Sequence, residues 1–181
     1  NDRARILHHS PKVRGTLETF RRAVIERHLR KIEQLVLDSY QQLLRKTSLV
    51  TGLSIAPDDF SLTLFANDGE RLPPERLSAG ERQLLAVALL WGLAKASGRP
   101  LPTAIDTPLG RLDSGHRGHL VERYFPFASH QVLLLSTDEE ITGDYLERLS
   151  PWIGRIYVLK FDDAAGATHI SEGYFPKKQA A

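Results

Sequence analysis

Seven consecutive residues, Leu77 to Gln83, combine the groups needed to bind an anion. Ser78 precedes the longest apolar helical pattern of the chain, and Glu81 follows three residues later, which is the spacing of a capping box. A capping box does not explain Gly80, because glycine in a helical turn costs up to about 1 kcal/mol relative to alanine. Its bare backbone would instead let a phosphate reach the N–H groups and partial positive charge of the helix N-terminus. The residues alone leave capping and phosphate binding as equal alternatives.

A carboxylate at the end of a short strand is the second chemical feature. The run Pro102 to Asp106 is mostly apolar up to its last residue, which predicts a strand ending in this aspartate. Gly98 and Pro100 separate that strand from the helix predicted from Ala79 to about Ser97. We therefore expect Asp106 at the carboxyl end of a strand that directly follows the central helix.

The elements on either side of these features form a helical arm and an α/β region. Residues 16–46 predict one helix, because apolar side chains recur at three- and four-residue intervals without Gly or Pro. Alternating side chains predict strands at 49–55 and 60–65, with a turn at Asn67-Asp68-Gly69. The remaining predictions are helices at 114–124 and 138–149, a buried central strand at 131–136, and strands at 155–161 and 168–171. This alternation predicts a mixed or parallel sheet flanked by helices.

Composition limits the class of protein. The 181 residues, 41% of them apolar, suffice for one α/β domain with a helical extension. The absence of cysteine excludes disulfides and thiolate sites and is compatible with a cytoplasmic location. No apolar run approaches the roughly 20 residues of a membrane span. Residues 1–50 hold 11 Lys/Arg against 5 Asp/Glu, leaving 13 against 17 elsewhere, so the arm is basic. The absence of methionine predicts that Asn1 is an internal position of a longer protein.

Four motifs occur in an order that resembles ABC-type ATPases. Leu-Ser-Ala-Gly-Glu-Arg-Gln at 77–83 resembles their signature motif, and Ile105-Asp106 resembles the end of a Walker B strand. Leu112-Asp113 falls where that family has its D-loop, and residues 136–140 where it has its switch loop. The preceding helix resembles the returning arm of an SMC-like coiled coil, which transporter ATPase subunits lack. The resemblance implies an arm over residues 1–48 and the C-terminal lobe of an ATPase head over 49–181.

A closer resemblance concerns residues 105–114, Ile-Asp-Thr-Pro-Leu-Gly-Arg-Leu-Asp-Ser, and 133–140, Leu-Leu-Leu-Ser-Thr-Asp-Glu-Glu. Both segments are similar to the DndD family, the SMC-like ATPases of bacterial DNA phosphorothioation. This resemblance covers about residues 60–145. It implies ATP and Mg²⁺ as cofactors. The implied partners are an N-terminal Walker A lobe, a second head in a homodimer, DNA and the other Dnd sulfur-modification components, with no membrane.

The resemblance also implies a role for each motif residue. Asp106 would hold Mg²⁺, directly or through water, which suits its place at a strand end. Ser78 and Gly80, with Glu81 in the same motif, would contact the γ-phosphate of ATP held mainly by a second head. Asp113 would lie at the interface between heads, where its alternative role is a helix cap. The complete site would therefore exist only across a dimer.

Two positions depart from the ABC-type pattern. Thr107 stands where the family usually has a glutamate that orients or deprotonates water, and Thr137 replaces the switch-loop histidine. A threonine hydroxyl is a poor base at neutral pH. Hydrolysis is therefore expected to be slow or to use Glu139 or Glu140, whose alternative role is as helix-start residues favoured by the helix dipole. A clamp that closes on DNA with ATP but hardly hydrolyses it is the alternative function.

The Walker A loop is missing from the chain. No Gly-x-x-x-x-Gly-Lys-Ser/Thr occurs, so no lysine-bearing loop cradles the β- and γ-phosphates. In SMC-like proteins this loop lies in an N-terminal lobe, separated from the C-terminal lobe by the coiled coil. We therefore expect the isolated chain to be inactive and to bind ATP weakly.

Overall fold

The computed structural model of the chain describes residues 2–44 and 49–174, with side chains from residue 11 onward. The α-helices are α1 (Asp2–Leu43), α2 (Ala79–Ser97), α3 (Ser114–His119) and α4 (Gly143–Leu149). The strands are β1 (Gly52–Ile55), β2 (Leu62–Phe65), β3 (Arg71–Leu72), β4 (Thr103–Asp106), β5 (Val132–Leu135), β6 (Tyr157–Asp162) and β7 (Ala167–Glu172).

The chain forms two compact units. The first contains Asn1–Leu101 and Arg111–His119, and the second contains Pro102–Gly110 and Leu120–Ala181. The 77–83 stretch and Asp113 therefore belong to the first unit, whereas Asp106 and the loop after β5 belong to the second. The sequence-based division at residue 48 stays a prediction.

The helix predicted at residues 16–46 is present and begins earlier. α1 runs from Asp2 to Leu43 and continues through Pro11, while the last predicted residues, 45 and 46, lie outside the described part of the chain. Near the C-terminal end of α1 its apolar side chains pack against the rest of the first unit, and Val36, Tyr40 and Leu43 are fully buried there. No helix within the described residues combines the length and apolar character needed to cross a membrane.

The partner of α1 is α2, and the two helices approach closely at Gly92. A Cβ atom built on Gly92 would lie 2.7 Å from Cα and 2.8 Å from the backbone nitrogen of Val36. One turn further along α2, Lys95 donates a hydrogen bond of 3.1 Å to Ser39 Oγ. The same ammonium group lies 3.5 Å from the ring centroid of Trp91, a cation–π contact. Together these contacts hold the central helix against the arm.

The segment before α2 forms the two predicted strands and a third, which pair as antiparallel hairpins. Leu53 of β1 is opposite Leu64 of β2, which in turn is opposite Leu72 of β3, and all three leucines are buried. The predicted turn is confirmed, since Gly69 has φ +80° and donates its N–H to the Ala66 carbonyl at 3.0 Å. This three-stranded sheet precedes α2 in the chain.

Strands β4 and β5 pair in parallel, with Asp106 opposite Leu135 at the carboxyl ends. The parallel arrangement was expected, but the prediction of a buried central strand at 131–136 is wrong. Leu133 is 56% exposed and Leu135 is 43% exposed. The reason is that β5 bonds only to β4 within the described residues, so this apolar face of the pair is left uncovered.

The last two strands form a separate hairpin. β6 pairs with β7 antiparallel over their full length instead of extending the β4–β5 pair. A local turn decides this pairing: Asp162 Oδ1 accepts the N–H groups of Ala164 at 2.9 Å and Ala165 at 3.2 Å, and Gly166 adopts φ +61°. The predicted mixture of strand directions is therefore present, divided among separate sheets.

The helix predicted at 138–149 is shorter than expected. α4 begins at Gly143, and residues 138–140 form a turn. The alternative that Glu139 and Glu140 start a helix is therefore wrong. The helix predicted at 114–124 is present as α3 followed by one π-helical turn at 120–124.

Candidate functional site

The 77–83 stretch begins α2 with the predicted capping box. Ser78 Oγ accepts the N–H of Glu81 at 3.2 Å, and Glu81 Oε2 accepts the N–H of Ser78 at 2.7 Å. These bonds satisfy two backbone donors that have no partner inside the helix. The capping prediction is confirmed. Because the Ser78 hydroxyl accepts in this arrangement, its own proton is available to donate to an anion.

Gly80 is half-buried in the first turn of α2, and the packing of the chain does not require a glycine there. A Cβ atom built on Gly80 would lie 3.5 Å from Leu112 Cδ2 and 3.7 Å from the Arg111 carbonyl oxygen, ordinary van der Waals distances. The backbone at Gly80 is helical, so no positive φ demands glycine. The same contacts place residues 111–112 beside the first turn of α2.

Contacts from distant positions fix the start of α2. Tyr40 of α1 is completely buried and donates its hydroxyl to the Glu81 carbonyl at 3.1 Å. Burial raises the pKa of Tyr40, so this hydroxyl remains a donor. Within the 77–83 stretch itself, Arg82 Nη1 donates to the Leu77 carbonyl at 2.6 Å. Sequence reasoning missed the Tyr40 contact because no local pattern reports a partner 41 residues away.

Asp113 caps α3, the alternative considered from sequence. Its Oδ1 accepts the N–H of His116 at 2.9 Å, and its Oδ2 lies 2.9 Å from His116 Nδ1. The backbone hydrogen bond from His116 is the main cause of a lowered pKa at Asp113. The Asp113 side chain is 53% exposed and can still meet another surface. Its place between two heads stays a prediction.

Asp106 lies at the carboxyl end of β4, as predicted, and is exposed. The next residue is strained: Thr107 has φ +50°, which is rare for a β-branched residue and costs on the order of 1–3 kcal/mol. Its N–H donates to the Leu135 carbonyl at 2.9 Å, and its hydroxyl lies 3.4 Å from Asp106 Oδ1. The only sequence signal was Pro108, because a residue before proline avoids the right-handed helical region.

One carboxylate joins the loop after β4 to the loop after β5. Glu140 Oε1 accepts the N–H of Leu109 and Glu140 Oε2 accepts the N–H of Thr137, each at 3.2 Å. Glu140 is half-buried, whereas Glu139 and Thr137 are exposed. The two glutamates that sequence reasoning treated alike therefore have different environments.

The predicted site residues fall into two groups, one in each compact unit. The first group is Ser78, Gly80, Glu81 and Asp113, and the second is Asp106, Thr107, Thr137, Glu139 and Glu140. Across the described parts of the chain, no three His, Asp or Glu side chains form a metal-binding cluster. An exposed Asp106 is nevertheless compatible with Mg²⁺, which commonly takes one or two protein carboxylates and completes its shell with phosphate and water.

Two curated proteins are similar to this chain in sequence. The DNA double-strand break repair Rad50 ATPase of Halobacterium salinarum is 30% identical over 128 residues, and that of Sulfurisphaera tokodaii is 30% identical over 125 residues. Each match covers 65% of this chain, which spans only 14% of the length of either relative. No family model matches the sequence.

Solved SMC structures are similar in fold. An SMC head domain with an extended coiled coil from Pyrococcus furiosus, bound to the C-terminal domain of ScpA, matches with a TM-score of 0.60 at 16% identity, over 88% of this chain and 39% of that chain. A structure from work on ATP-driven dimerization and DNA-stimulated activation of SMC ATPases gives 0.59 at 15%, over 83% and 88%. The chain has the fold of an SMC ATPase head.

A third SMC head, from Pyrococcus yayanosii with a coiled coil and joint, matches 94% of this chain and 34% of its own length, with a TM-score of 0.57 at 16% identity. The SMC-head fold confirms the predicted fold class, in which helices flank the sheets and a helical arm precedes them. The roles of the individual site residues, and the closer resemblance to the DndD family, remain predictions.

Proposed function

We propose that this chain is the C-terminal lobe of an SMC-like ATPase head that supplies a signature motif and a Walker B aspartate to a composite ATP site. The observation that carries the proposal is the SMC-head fold combined with the capped, glycine-bearing start of α2. Gly80 supports it because the chain's own packing does not require a glycine there. An N-terminal Walker A lobe and a second head would complete the site, in a protein of the cytoplasm.

Exposed apolar side chains in the second unit support a missing partner lobe. Besides Leu133 and Leu135, the β6–β7 hairpin exposes Leu159 by 57%, Phe161 by 63% and Ile170 by 67%. Leu159 and Ile170 are opposite each other on the paired strands, and exposed apolar patches mark interaction sites. In the proposed composite head, the sheet of the Walker A lobe would cover these side chains.

The proposed role of this lobe is to stabilise the negative charge of the ATP phosphates. The Ser78 hydroxyl and the first N–H groups of α2 donate to the γ-phosphate, for which the Gly80 backbone leaves room. Asp106 would hold Mg²⁺, which would offset the negative charge of the phosphates. Asp113 contacts the opposite head. Position 107, a threonine, supplies no carboxylate to accept a proton from the attacking water, so turnover is slow unless Glu139 or Glu140 provides one.

Reconstitution tests this proposal. The isolated chain should bind Mg-ATP weakly in isothermal titration calorimetry and show no hydrolysis. Adding the N-terminal Walker A lobe of the same protein should produce binding and turnover. Tight Mg-ATP binding by the isolated chain would contradict the half-site assignment.

We propose DNA phosphorothioate modification as the process in which the head acts, because residues 105–114 and 133–140 resemble the DndD family. Deleting the gene should remove phosphorothioate linkages from genomic DNA, measured by mass spectrometry after nuclease digestion. The wild-type gene should restore them. Unchanged linkages together with sensitivity to double-strand breaks would instead support a role like that named for the Rad50 relatives.

An ATP-gated DNA clamp is the second candidate, favoured by threonine at positions 107 and 137. In this case ATP binding closes two heads on DNA and hydrolysis contributes little. The clamp predicts DNA retention that requires ATP, with turnover at background in both the wild-type protein and Asp106→Asn. Turnover well above that of Asp106→Asn would favour the ATPase.

Substitutions at Ser78 distinguish its role as a helix cap from a role in phosphate binding. Aspartate is as good an N-cap as serine, so Ser78→Asp should change the free energy of unfolding by less than about 0.5 kcal/mol. Its negative charge would nevertheless repel the γ-phosphate, and ATP-dependent dimerisation of the complete protein should weaken at least about tenfold. Ser78→Ala is the matched variant and should cost about 1 kcal/mol of stability. Denaturant titration and analytical ultracentrifugation measure the two effects; normal dimerisation of Ser78→Asp would remove Ser78 from the site.

A further inference from the structure

We propose that Glu140 is a positioning residue that clamps the loop after Asp106 to the loop after β5, and that it is not the base for hydrolysis. This inference deepens the proposed ATPase function and rests on it. Its structural part, the clamp, concerns the second compact unit alone and can be tested without nucleotide.

The clamp uses both oxygens of one side chain. Oε1 accepts the Leu109 N–H and Oε2 accepts the Thr137 N–H, each at 3.2 Å. Hydrogen bonds from neutral N–H groups to an ionised carboxylate are stronger than those to a neutral acceptor. Glu140 is half-buried, which limits competition from water. The two loops that follow the parallel strands are thus tied at a single point.

The loop held by Glu140 contains the strained residue next to Asp106. Thr107 keeps φ +50° because its neighbours fix it: Gly110 donates its N–H to the Thr107 carbonyl at 3.2 Å. A Cβ atom on Gly110 would lie 2.9 Å from Thr107 Cγ2, so the turn packs tightly on Thr107, and 3.7 Å from Glu140 Oε1, an ordinary van der Waals distance. Strain of this kind persists only where surrounding contacts over-determine the backbone. Glu140 supplies one such contact through Leu109.

The geometry also argues against Glu140 as the base. A carboxylate that accepts a water proton needs an oxygen directed at that water. Each Glu140 oxygen already accepts a backbone N–H, so taking a proton from water would weaken both of these charge-assisted bonds. The following carbonyl, that of Ile141, is held by the Tyr174 hydroxyl. Exposed Glu139 therefore remains the candidate base in this turn.

Hydrogen exchange on the 181-residue chain tests the clamp. In Glu140→Ala, the Leu109 and Thr137 amides should exchange about tenfold faster than in the wild-type chain. Glu140→Gln should release at least one of them, because its NH₂ group cannot accept a hydrogen bond. Glu147→Gln, an exposed carboxylate on α4, is the control and should leave both amides unchanged. Unchanged exchange at both amides in both Glu140 variants would overturn the clamp.

Turnover of the complete two-lobe protein tests the second half of the inference. A positioning role predicts a lower kcat in Glu140→Ala and Glu140→Gln, with no recovery when formate or azide is added. Recovery of Glu140→Ala by these small anions would show that a missing base was replaced, and would overturn the assignment. If the wild-type protein itself lacks turnover, the proposed ATPase fails, while the exchange experiment still decides the clamp.

Discussion

Replacing Asp106 with asparagine is expected to reduce ATP hydrolysis by the complete two-lobe protein at least about 100-fold, because the neutral amide binds Mg²⁺ far more weakly than a carboxylate. The fold should survive the change, since Asp106 is exposed and its one described side-chain contact is the long 3.4 Å bond from Thr107. Steady-state phosphate release over a Mg²⁺ titration measures the effect.

The matched control for Asp106→Asn is Asp163→Asn, which removes the same charge from an exposed position in the same compact unit. Its turnover should equal that of the wild-type protein. Equal, measurable turnover in the wild-type protein and Asp106→Asn would show that hydrolysis does not depend on this carboxylate.

The largest loss of stability is expected for Gly92→Ala. The new methyl group would lie 2.5 Å from Val36 Cγ2, 2.7 Å from Val36 Cα and 2.8 Å from the Val36 backbone nitrogen. A side-chain clash can be relieved by rotation, but a backbone clash requires α1 and α2 to separate. Overpacking of this kind costs about 1–3 kcal/mol, which outweighs the gain of up to about 1 kcal/mol from replacing a helical glycine.

Gly15→Ala provides the control in the same unit. Nothing lies within 4 Å of a Cβ atom at Gly15, which is also helical, so alanine should stabilise the chain slightly. Denaturant unfolding of both variants measures the contrast. A Gly92→Ala chain as stable as the Gly15→Ala chain would mean that α1 and α2 do not approach at Val36 as described.

The start of α2 shows what could be predicted from the sequence. A capping box joins residues only three apart, and the glycine that ends a helix needs only its own left-handed backbone conformation. Both ends of α2 could therefore be predicted from the local sequence. The same holds for the turn at 67–69. Asp106 was placed correctly because a short apolar run leaves few choices for where a strand ends.

Side-chain contacts between residues far apart in the chain could not be predicted from local sequence patterns. Glu140 reaches Leu109 over 31 positions and Tyr40 reaches Glu81 over 41, and a single sequence carries no signal for such pairs. The prediction of a buried β5 failed for a related reason. An apolar strand is expected to be covered, but its pattern does not say whether the covering element belongs to the same chain.

The sequence by itself determined the chemistry available to this protein: a capped helix start with a glycine, and an aspartate at a strand end followed by a threonine. Only the tertiary structure decided how that chemistry is held. It set Thr107 in a strained conformation and directed both Glu140 oxygens to backbone amides. The physical reason is that residue types and short spacings fix local hydrogen bonds, whereas orientation depends on contacts between segments far apart in the chain.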